Sequence, residues 1–400
     1  MPMNTSVKFF SSAMLNAPKL AGGKGSMIAV LDACLVDGWN LTTVDSMTVS
    51  NNVVTANISA GHGFVKWQVI QVAGATPSGL NGEHRVTEVT TTTVKFEVTG
   101  VANGTATGAI TLKVAPLGWL KAFSGTNKAA YKVDATKYPQ STGCLARFDD
   151  NVSNYNTRLA GFESMTTVDA GTGQFPTDGQ MSSGLWLLRT ENASTTTYRP
   201  WFLVGDGRIF YIGVNHYTDS PTYCGPSWAA FGEYKSVTAN DPFNFVVAGN
   251  YPADQTPSQD QSYTFCNASR QDYQFIARSY DGLSGSARFT SRSWPATYGG
   301  SGEASAPLAY PNGPNNGLYL SPLDILEVPP SGGYHLRGTY PGVLMIPHRV
   351  TKRIVPDRQT AVFETTITGF EGKVIGFFPT AYSGDSWGVV AFDLTGPWEH

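Results

Sequence analysis

Apolar and polar residues alternate with a period of two through most of this chain, and a clear helical pattern occurs only once. Between residues 26 and 38, apolar side chains recur at three-and-four spacing, which is typical of a helix with one buried face. Ser26 is the predicted N-cap, Gly38 is the predicted stop, and Asp32 lies off the apolar face. The pattern predicts a short helix packed on a β core, with a buried face of Met27, Ile28, Val30, Leu31, Cys34 and Leu35.

A Val/Thr-rich segment from residue 44 to residue 117 predicts a series of short strands. Its first hairpin runs from Ser46–Val49 through Asn51 and Asn52 into Val53–Ile58, and Asn81-Gly82 is a further turn signal. Alternating apolar residues predict additional strands at Val65–Val69, Val86–Val89, Val94–Val98 and Ile110–Val114. Five or six such strands bury their apolar faces by curling into a small barrel or sandwich.

The sequence SAGHGF, residues 59–64, holds His62 between two glycines and links two of these predicted strands. The histidine could be a metal ligand, a catalytic base or the corner of a turn. A metal site needs two or three further ligands, but the nearest other histidine is His84 and the segment contains no cysteine. Because Gly61 and Gly63 permit positive φ angles, the pattern favours a structural corner.

The sequence pattern of residues 118–400 predicts β-structure throughout. The segment Trp201–Val214 predicts a hairpin about a Gly-Asp-Gly turn, and Phe243–Gly249 predicts a buried strand. A strand is also predicted at Leu145–Asp150, and a terminal hairpin at Lys373–Phe378 and Trp387–Phe392. The sequence as a whole predicts a mainly β protein: a small β-barrel module beside a larger β-sandwich-like domain, with one short N-terminal helix. The predicted divisions are 1–43, which joins the large domain, 44–117 for the small module, and 118–400 for the large domain.

Charged residues make up only 14% of the chain, against about 25% in ordinary globular proteins. A surface with few charges resists association poorly, so such a chain suits a large assembly. The formal net charge is −3, and the densest basic cluster, at residues 348–353, is short. We therefore expect no nucleic-acid binding. Because no apolar run is long enough to span a bilayer and no export signal is visible, we also expect no membrane insertion.

Reactive motifs are absent from the sequence: it contains no HExxH, P-loop, GxSxG, dinucleotide-binding or EF-hand pattern. Four acidic residues could pair across loops as a glycosidase would require, but acidic residues at loop ends usually form turns or caps. These are Asp149, Asp150, Asp206 and Glu303. We predict no enzyme activity, no cofactor, and no catalytic, cofactor-binding or metal-binding residue.

Cysteines and tryptophans add two further expectations. Cys34, Cys144, Cys224 and Cys266 are far apart and are predicted to be mostly buried thiols, although a Cys224–Cys266 bridge stays open. Exposed tryptophans could stack on sugar rings, but their place in alternating patterns favours a core or a subunit interface. The tryptophans concerned are Trp186, Trp201, Trp228, Trp294, Trp387 and Trp398.

Residues 59–96 resemble a small β module common in bacteriophage structural proteins, loosely similar to the first catalytic cysteine half-domain of ubiquitin-activating enzymes. No ubiquitin chemistry is implied, since the module contains no cysteine. Residues 117–131 and 392–398 are similar to the flanking segments of a family of virion proteins of tailed phages of Gram-negative bacteria. The resemblance runs from Phe9 to the end of the chain and carries no catalytic residues.

This resemblance implies a virion structural protein, assembled in the host cytoplasm and placed in the tail or baseplate rather than the head. Its implied partners are other virion proteins and symmetric copies of itself. Two long polar loops, Pro252–Ser262 and Tyr298–Asn316, are candidate contact arms. Two alternatives stay open: a capsid decoration protein, and a tail protein that binds a host-surface glycan or receptor.

Overall fold

The protein is mainly β with one short helix, as the sequence predicted. The structure is a computed structural model. The residues that the structure describes are 3–181, 185–190, 193–215, 226–249, 264–266, 274–292, 308–330, 332–348, 361–364, 367, 370–380 and 388–400. Within them, strands β1 to β27, numbered in chain order, form three antiparallel sheets. A short 3₁₀ turn occupies Ser78–Leu80.

The helix, α1, spans Ser26–Asp32 and continues as a π-helical turn over Ala33–Asp37. All six residues of the predicted apolar face are buried. The turn ends at Gly38, as predicted, where φ is +69° and a Cβ atom would collide with the carbonyl oxygen of Val114. Glycine is therefore required at this helix end by both its backbone angle and the close approach of a strand.

The predicted N-cap of α1 is wrong. Ser26 is the first helical residue, and its hydroxyl donates to the carbonyl of Ala21 at 2.8 Å. The free backbone N–H of Met27 instead donates to the carboxylate of Asp150, which lies 123 residues further along the chain, at 3.2 Å. A carboxylate at a helix N-terminus satisfies an unpaired N–H group and complements the helix dipole, so a long-range cap replaces the local one.

Eight strands form the small sheet, in the order β2-β9-β5-β6-β7-β4-β3-β8. The sheet curls around its own core, and its middle strand β6 is shared by the two halves. The strands are β2 Trp39–Thr43, β3 Ser46–Ser50, β4 Val53–Asn57, β5 Val69–Ala73, β6 Gly82–Val89, β7 Thr93–Glu97, β8 Gly104–Thr105 and β9 Thr111–Val114. Because β2 pairs with β9, the small sheet reaches back to residue 39, ahead of the predicted division at residue 44.

Two local predictions in this sheet have opposite outcomes. The turn at Asn51 and Asn52 is confirmed, with φ angles of 51° and 64° that a two-residue hairpin of this kind requires. The predicted strand from Val65 is wrong, because Trp67 has a φ of 70° and the N–H of Gln68 closes a turn onto the carbonyl of Val65 at 3.2 Å. The strand itself begins only at Val69.

A six-stranded sheet follows in the chain, with β10-β11-β12-β13-β14 as its order and β15 also paired to β13. Its strands are β10 Leu120–Gly125, β11 Lys128–Lys132, β12 Leu145–Asp149, β13 Asn156–Thr167, β14 Ala170–Phe175 and β15 Leu185–Leu188. The predicted strand at residues 145–150 is therefore confirmed.

The largest sheet has thirteen strands among the described residues, in the order β1-β16-β17-β18-β20-β21-β22-β23-β24-β27-β26-β25, with β19 paired to β24. The predicted hairpins at residues 201–214 and 373–392 and the buried strand within 243–249 are all confirmed. The strands are β1 Lys8–Ser11, β16 Trp201–Gly205, β17 Ile209–Val214, β18 Ser227–Glu233, β19 Lys235–Ser236, β20 Phe245–Ala248, β21 Gln274–Ile276, β22 Ala287–Arg292, β23 Ser321–Glu327, β24 His335–Met345, β25 Ala361–Glu364, β26 Val374–Thr380 and β27 Gly388–Asp393.

The middle of this large sheet is buried on both faces. Along β17, Phe210 and Ile212 pack into a core shared with the helix and the six-stranded sheet. The alternate residues Ile209 and Tyr211 pack into a second core, against strands β23, β24, β26 and β27 of the same sheet. The large sheet therefore curls onto itself on one face and is covered by the six-stranded sheet on the other. This explains why β17 is apolar at nearly every position.

Arg85, on β6 of the small sheet, joins that sheet to both ends of the described chain. Its guanidinium donates to the carbonyls of Asn4, Val7, Trp67 and Leu394 at distances of 2.7–3.1 Å. Burial lowers the pKa of Arg85 to about 10, so the side chain stays charged at neutral pH. Four carbonyl dipoles thus hold one buried cation at the junction of three chain segments.

Candidate functional site

His62 lies at a turn corner and is buried, with both ring nitrogens engaged. Its Nε2 lies 2.9 Å from the carbonyl oxygen of Thr90 and 3.1 Å from that of Thr93, so this nitrogen carries the proton. Its Nδ1 accepts the backbone N–H of Phe64 at 2.9 Å. Gly61 and Gly63 have φ angles of 81° and 65°. The ring therefore ties its own turn to the β6–β7 turn, and the described residues contain no cluster of ligands suited to a metal.

The acidic residues singled out in the sequence serve turns and ion pairs. Asp149 accepts the backbone N–H of Asn151 at 3.1 Å, and Asp206 accepts the N–H groups of Arg208 and Ile209 in the β16–β17 turn. Asp150 caps α1 as described above. None of these three lines the clefts described below, and Glu303 lies outside the described residues.

The described cysteines are buried free thiols. Burial raises the pKa of Cys144 to about 12 and that of Cys266 to about 11, and it also raises the pKa of Cys34. Such thiols are poor nucleophiles at neutral pH. Cys224, and with it the question of a Cys224–Cys266 bridge, lies outside the described residues.

The described tryptophans between residues 118 and 400 lie wholly or partly in the protein interior. Trp201 and Trp228 are fully buried, Trp398 is nearly so, and Trp186 is partly buried and packed against the first core. Two others, Trp294 and Trp387, lie outside the described residues, as do the candidate arm 252–262 and residues 298–307 of the second arm.

Two clefts of the described residues lie around the loop that joins β21 to β22. Residues 279–284 of this loop, here called the ridge, stand between two clefts. The first cleft, of about 670 Å³, is walled by residues 237–243 and 334–337. The second, of about 820 Å³, is walled by residues 284–288 and 327–330 together with part of the loop after β14. Ser279, Tyr280 and Asp281 line both clefts, so the ridge is their shared wall.

Asp281 organises the ridge through one of its two carboxylate oxygens. Its Oδ1 accepts the hydroxyl of Ser279 at 2.6 Å and the backbone N–H groups of Leu283 and Ser284 at 3.0 and 3.3 Å. The Ser279 hydroxyl, followed by these backbone groups, lowers the pKa of Asp281 to about 2. Oδ2 takes no hydrogen bond from the described residues, so the loop fixes a charged carboxylate with one oxygen free.

Arg278 anchors the ridge to the six-stranded sheet. Its guanidinium forms a two-point ion pair with Glu163 on β13, with both N–O distances at 2.6 Å. It also lies over the ring of Phe243, 4.2 Å from the ring centre, and donates to the carbonyl of Gly282 at 3.0 Å. Gly282 has a φ of +67°, so the ridge needs glycine at this position. Arg278 therefore fixes the ridge to the six-stranded sheet at the bend formed by Gly282.

The floor between the clefts is a buried ionic cluster. Arg337 donates to Glu327 at 2.6 Å and to the carbonyl of Arg278 at 2.9 Å, and it lies 3.6 Å from Asp241. Burial alone would lower the pKa of Arg337, but Tyr234, Glu327 and Asp241 outweigh that effect and raise it. Two carboxylates share one guanidinium, which leaves the floor with a formal charge of −1.

The rim of the first cleft is apolar and aromatic. Tyr280 is 62% exposed and Tyr334 60% exposed, and neither hydroxyl has a hydrogen-bond partner among the described residues. The ring of His335 lies against that of Tyr280, with the ring centres 4.6 Å apart. Three aliphatic side chains complete the exposed rim: Val237, Leu283 and Leu336. The rim, ridge and floor come from four separate chain segments, and for that reason no local motif in the sequence marks this site.

Comparison with protein-family models and with curated proteins finds no match to this chain. Any function of the two clefts is therefore inferred from their geometry. Within the described part of the chain, no helix is long and apolar enough to cross a membrane.

Proposed function

We propose that this chain is a structural protein of a bacteriophage virion, a repeated subunit of the tail or baseplate that acts through protein–protein assembly. Its partners in this proposal are other virion proteins and symmetric copies of itself. The resemblance of residues 59–96, 117–131 and 392–398 to tailed-phage virion proteins is the starting point of the proposal.

The observation that supports it most directly is where the few charged residues lie. Five arginine–carboxylate pairs among the described residues have both side chains at most 15% exposed: Arg147–Asp149, Arg189–Asp150, Arg208–Glu233, Arg337–Asp241 and Arg337–Glu327. A chain with only 14% charged residues thus uses several of them in ion pairs that are buried within the fold. The surface is left with few charges to oppose close contact with neighbouring subunits.

Mass spectrometry of purified phage particles that contain this sequence, separated into heads and tails, tests the proposal. The copy number is measured against the major capsid protein. A signal confined to tails, in a multiple of three or six copies, is the expected result. A head signal in the hundreds of copies would favour capsid decoration instead, and absence from the particle would refute both structural roles.

A second candidate function, recognition of a host-surface glycan, gains a specific observation from the aromatic rim and the free carboxylate oxygen of the ridge. Sugar binding and assembly into a particle are separate properties, since a subunit of a phage particle can also bind sugar.

A further inference from the structure

We propose that the ridge and its two clefts form a binding site for an extended saccharide without negative charge, in which Tyr280 stacks on a sugar ring and Asp281 accepts sugar hydroxyls. This names the site and the ligand class of the second candidate function. It does not depend on the position of the chain in a particle, so the two proposals fail in different experiments.

Aromatic side chains provide the first part of the argument. A pyranose ring has an apolar face of C–H groups and a rim of hydroxyls, and it pairs with surfaces that combine an aromatic face with polar atoms. Tyr280 and Tyr334 offer this combination because their rings are mostly exposed and their hydroxyls are free. The contact with His335 restricts the Tyr280 ring on one side, which lowers the side-chain entropy that binding must remove.

The carboxylate of Asp281 provides the second part. A sugar presents neighbouring hydroxyl donors, and a charged acceptor forms stronger hydrogen bonds with them than a neutral one does. Oδ1 is occupied by the turn, which fixes the direction of the free Oδ2. Because the residue lies next to Tyr280 and lines both clefts, stacking and hydrogen bonding converge on one ligand.

The size and connection of the clefts indicate an oligosaccharide. Each cleft falls within the range of about 300–1,000 Å³ that is typical of small-molecule sites. The two share the ridge as a wall, so a linear ligand can occupy the first cleft, pass over Tyr280 and enter the second. A single monosaccharide would use only one side of the ridge.

Charge selects the kind of saccharide. Asp281 is ionised, and the floor formed by Arg337, Glu327 and Asp241 carries a further formal charge of −1. The exposed Arg288 on the wall of the second cleft offsets one of these charges, so the lining as a whole keeps a formal charge of −1, with the negative groups concentrated at the ridge and the first cleft. Sialic and uronic acids would bring a carboxylate into this field, whereas neutral or amino-bearing sugars would not. The site is therefore expected to bind acidic glycans more weakly than neutral ones.

The test uses the purified full-length chain and saturation-transfer NMR, with affinities from calorimetry. The probes are maltotriose, a linear galactose trisaccharide and triacetylchitotriose, with 3′-sialyllactose and trigalacturonic acid as acidic controls. We expect at least one neutral probe to bind with a Kd of about 1 mM or below, and the acidic probes to bind at least about tenfold more weakly. No binding of any neutral probe at about 10 mM would overturn the proposal.

Three variants separate this site from non-specific contact. Tyr280→Ala should weaken binding about tenfold or more, whereas Tyr280→Phe, which keeps the ring, should stay within about threefold of the parent. Asp281→Asn keeps an oxygen for the turn but replaces the free Oδ2, and it should also weaken binding about tenfold. The matched control is Tyr198→Ala, because Tyr198 is similarly exposed and lies outside both clefts. Equal losses in Tyr198→Ala and Tyr280→Ala would overturn the proposal, as would acidic probes that bind as well as neutral ones.

Discussion

The substitution Arg189→Met is expected to destabilise the protein strongly, because it leaves a buried carboxylate without its counter-ion. Arg189 and Asp150 are both fully buried, with the Nε and Oδ1 atoms 3.0 Å apart. The guanidinium also donates to the carbonyls of Gly23 and Ser153 at 2.6 Å and to the hydroxyl of Ser26 at 3.0 Å. Methionine fills most of the volume but replaces none of these donors.

The expected cost is about 4 kcal/mol of the free energy of unfolding near neutral pH. Removing one member of a buried ion pair costs roughly 3–5 kcal/mol, mostly because the remaining charge is left unpaired. Asp150 keeps the hydroxyl of Thr157 at 2.6 Å and the N–H of Met27, so the upper end of that range is not reached. The double variant Asp150→Asn/Arg189→Met removes both charges and should recover part of the loss.

Acidic pH should relieve the effect of Arg189→Met. Burial raises the pKa of Asp150 above its ordinary value of 3.8 even with the arginine present, and loss of the arginine raises it further. A carboxyl with a raised folded-state pKa destabilises the fold above that pKa, and the penalty fades as the pH falls towards 3.8. The difference between variant and parent should therefore shrink between about pH 7.5 and about pH 4.5.

Unfolding by guanidinium chloride, followed by tryptophan fluorescence, measures these differences in the free energy of unfolding. The matched control is Arg158→Met, because Arg158 is partly exposed and its partner Asp178 is 76% exposed at 3.6 Å. That substitution should cost no more than about 1 kcal/mol. An Arg189→Met protein within about 1 kcal/mol of the parent at neutral pH, or one with an unchanged difference at acidic pH, would refute the reasoning.

Two further predictions concern the turn corner and the thiols. His62→Ala should lower the free energy of unfolding by about 2 kcal/mol, because three hydrogen bonds to backbone groups are lost. EDTA should leave the melting temperature of the parent protein unchanged. A clear drop in that melting temperature with EDTA would instead indicate a bound metal. In a Cys224→Ser protein at about pH 8, a thiol reagent should react slowly with the native state, because Cys34, Cys144 and Cys266 are buried, and rapidly with all three thiols after unfolding. Fast labelling of the native protein would contradict the burial of these three thiols.

Local patterns predicted the elements that depend on their own residues. The hairpin of Trp201–Val214 and the buried face of α1 follow from periodicity and turn residues, and both are confirmed. The cap of α1 was missed because Asp150, the residue that provides it, is brought there only by the packing of β12. The strand predicted from Val65 failed because alternation of apolar residues also occurs across a turn that Gln68 closes.

The candidate site was beyond reach of sequence patterns for the same reason. Tyr280 and Asp281 stand in an ordinary turn sequence, and Arg337 lies in a strand. The pairing of β22 with β23, of β23 with β24 and of β19 with β24 brings the ridge, the floor and the rim together. The excess of aromatic residues did indicate a sugar-stacking alternative, but it directed attention to tryptophans, which in the described residues lie mostly in the interior.

The junction at Arg85 also sets an order of events during synthesis. One of its four acceptors, the carbonyl of Leu394, lies 309 residues further along the chain. At about 5–20 residues per second, the ribosome needs tens of seconds to make that stretch. Throughout this interval the strands of the small sheet and three of the four acceptors of Arg85 are already made, and only the Leu394 carbonyl is missing. Arg85 therefore gains its full set of acceptors only after β27 has been made, so this junction closes late relative to the rest of the small sheet.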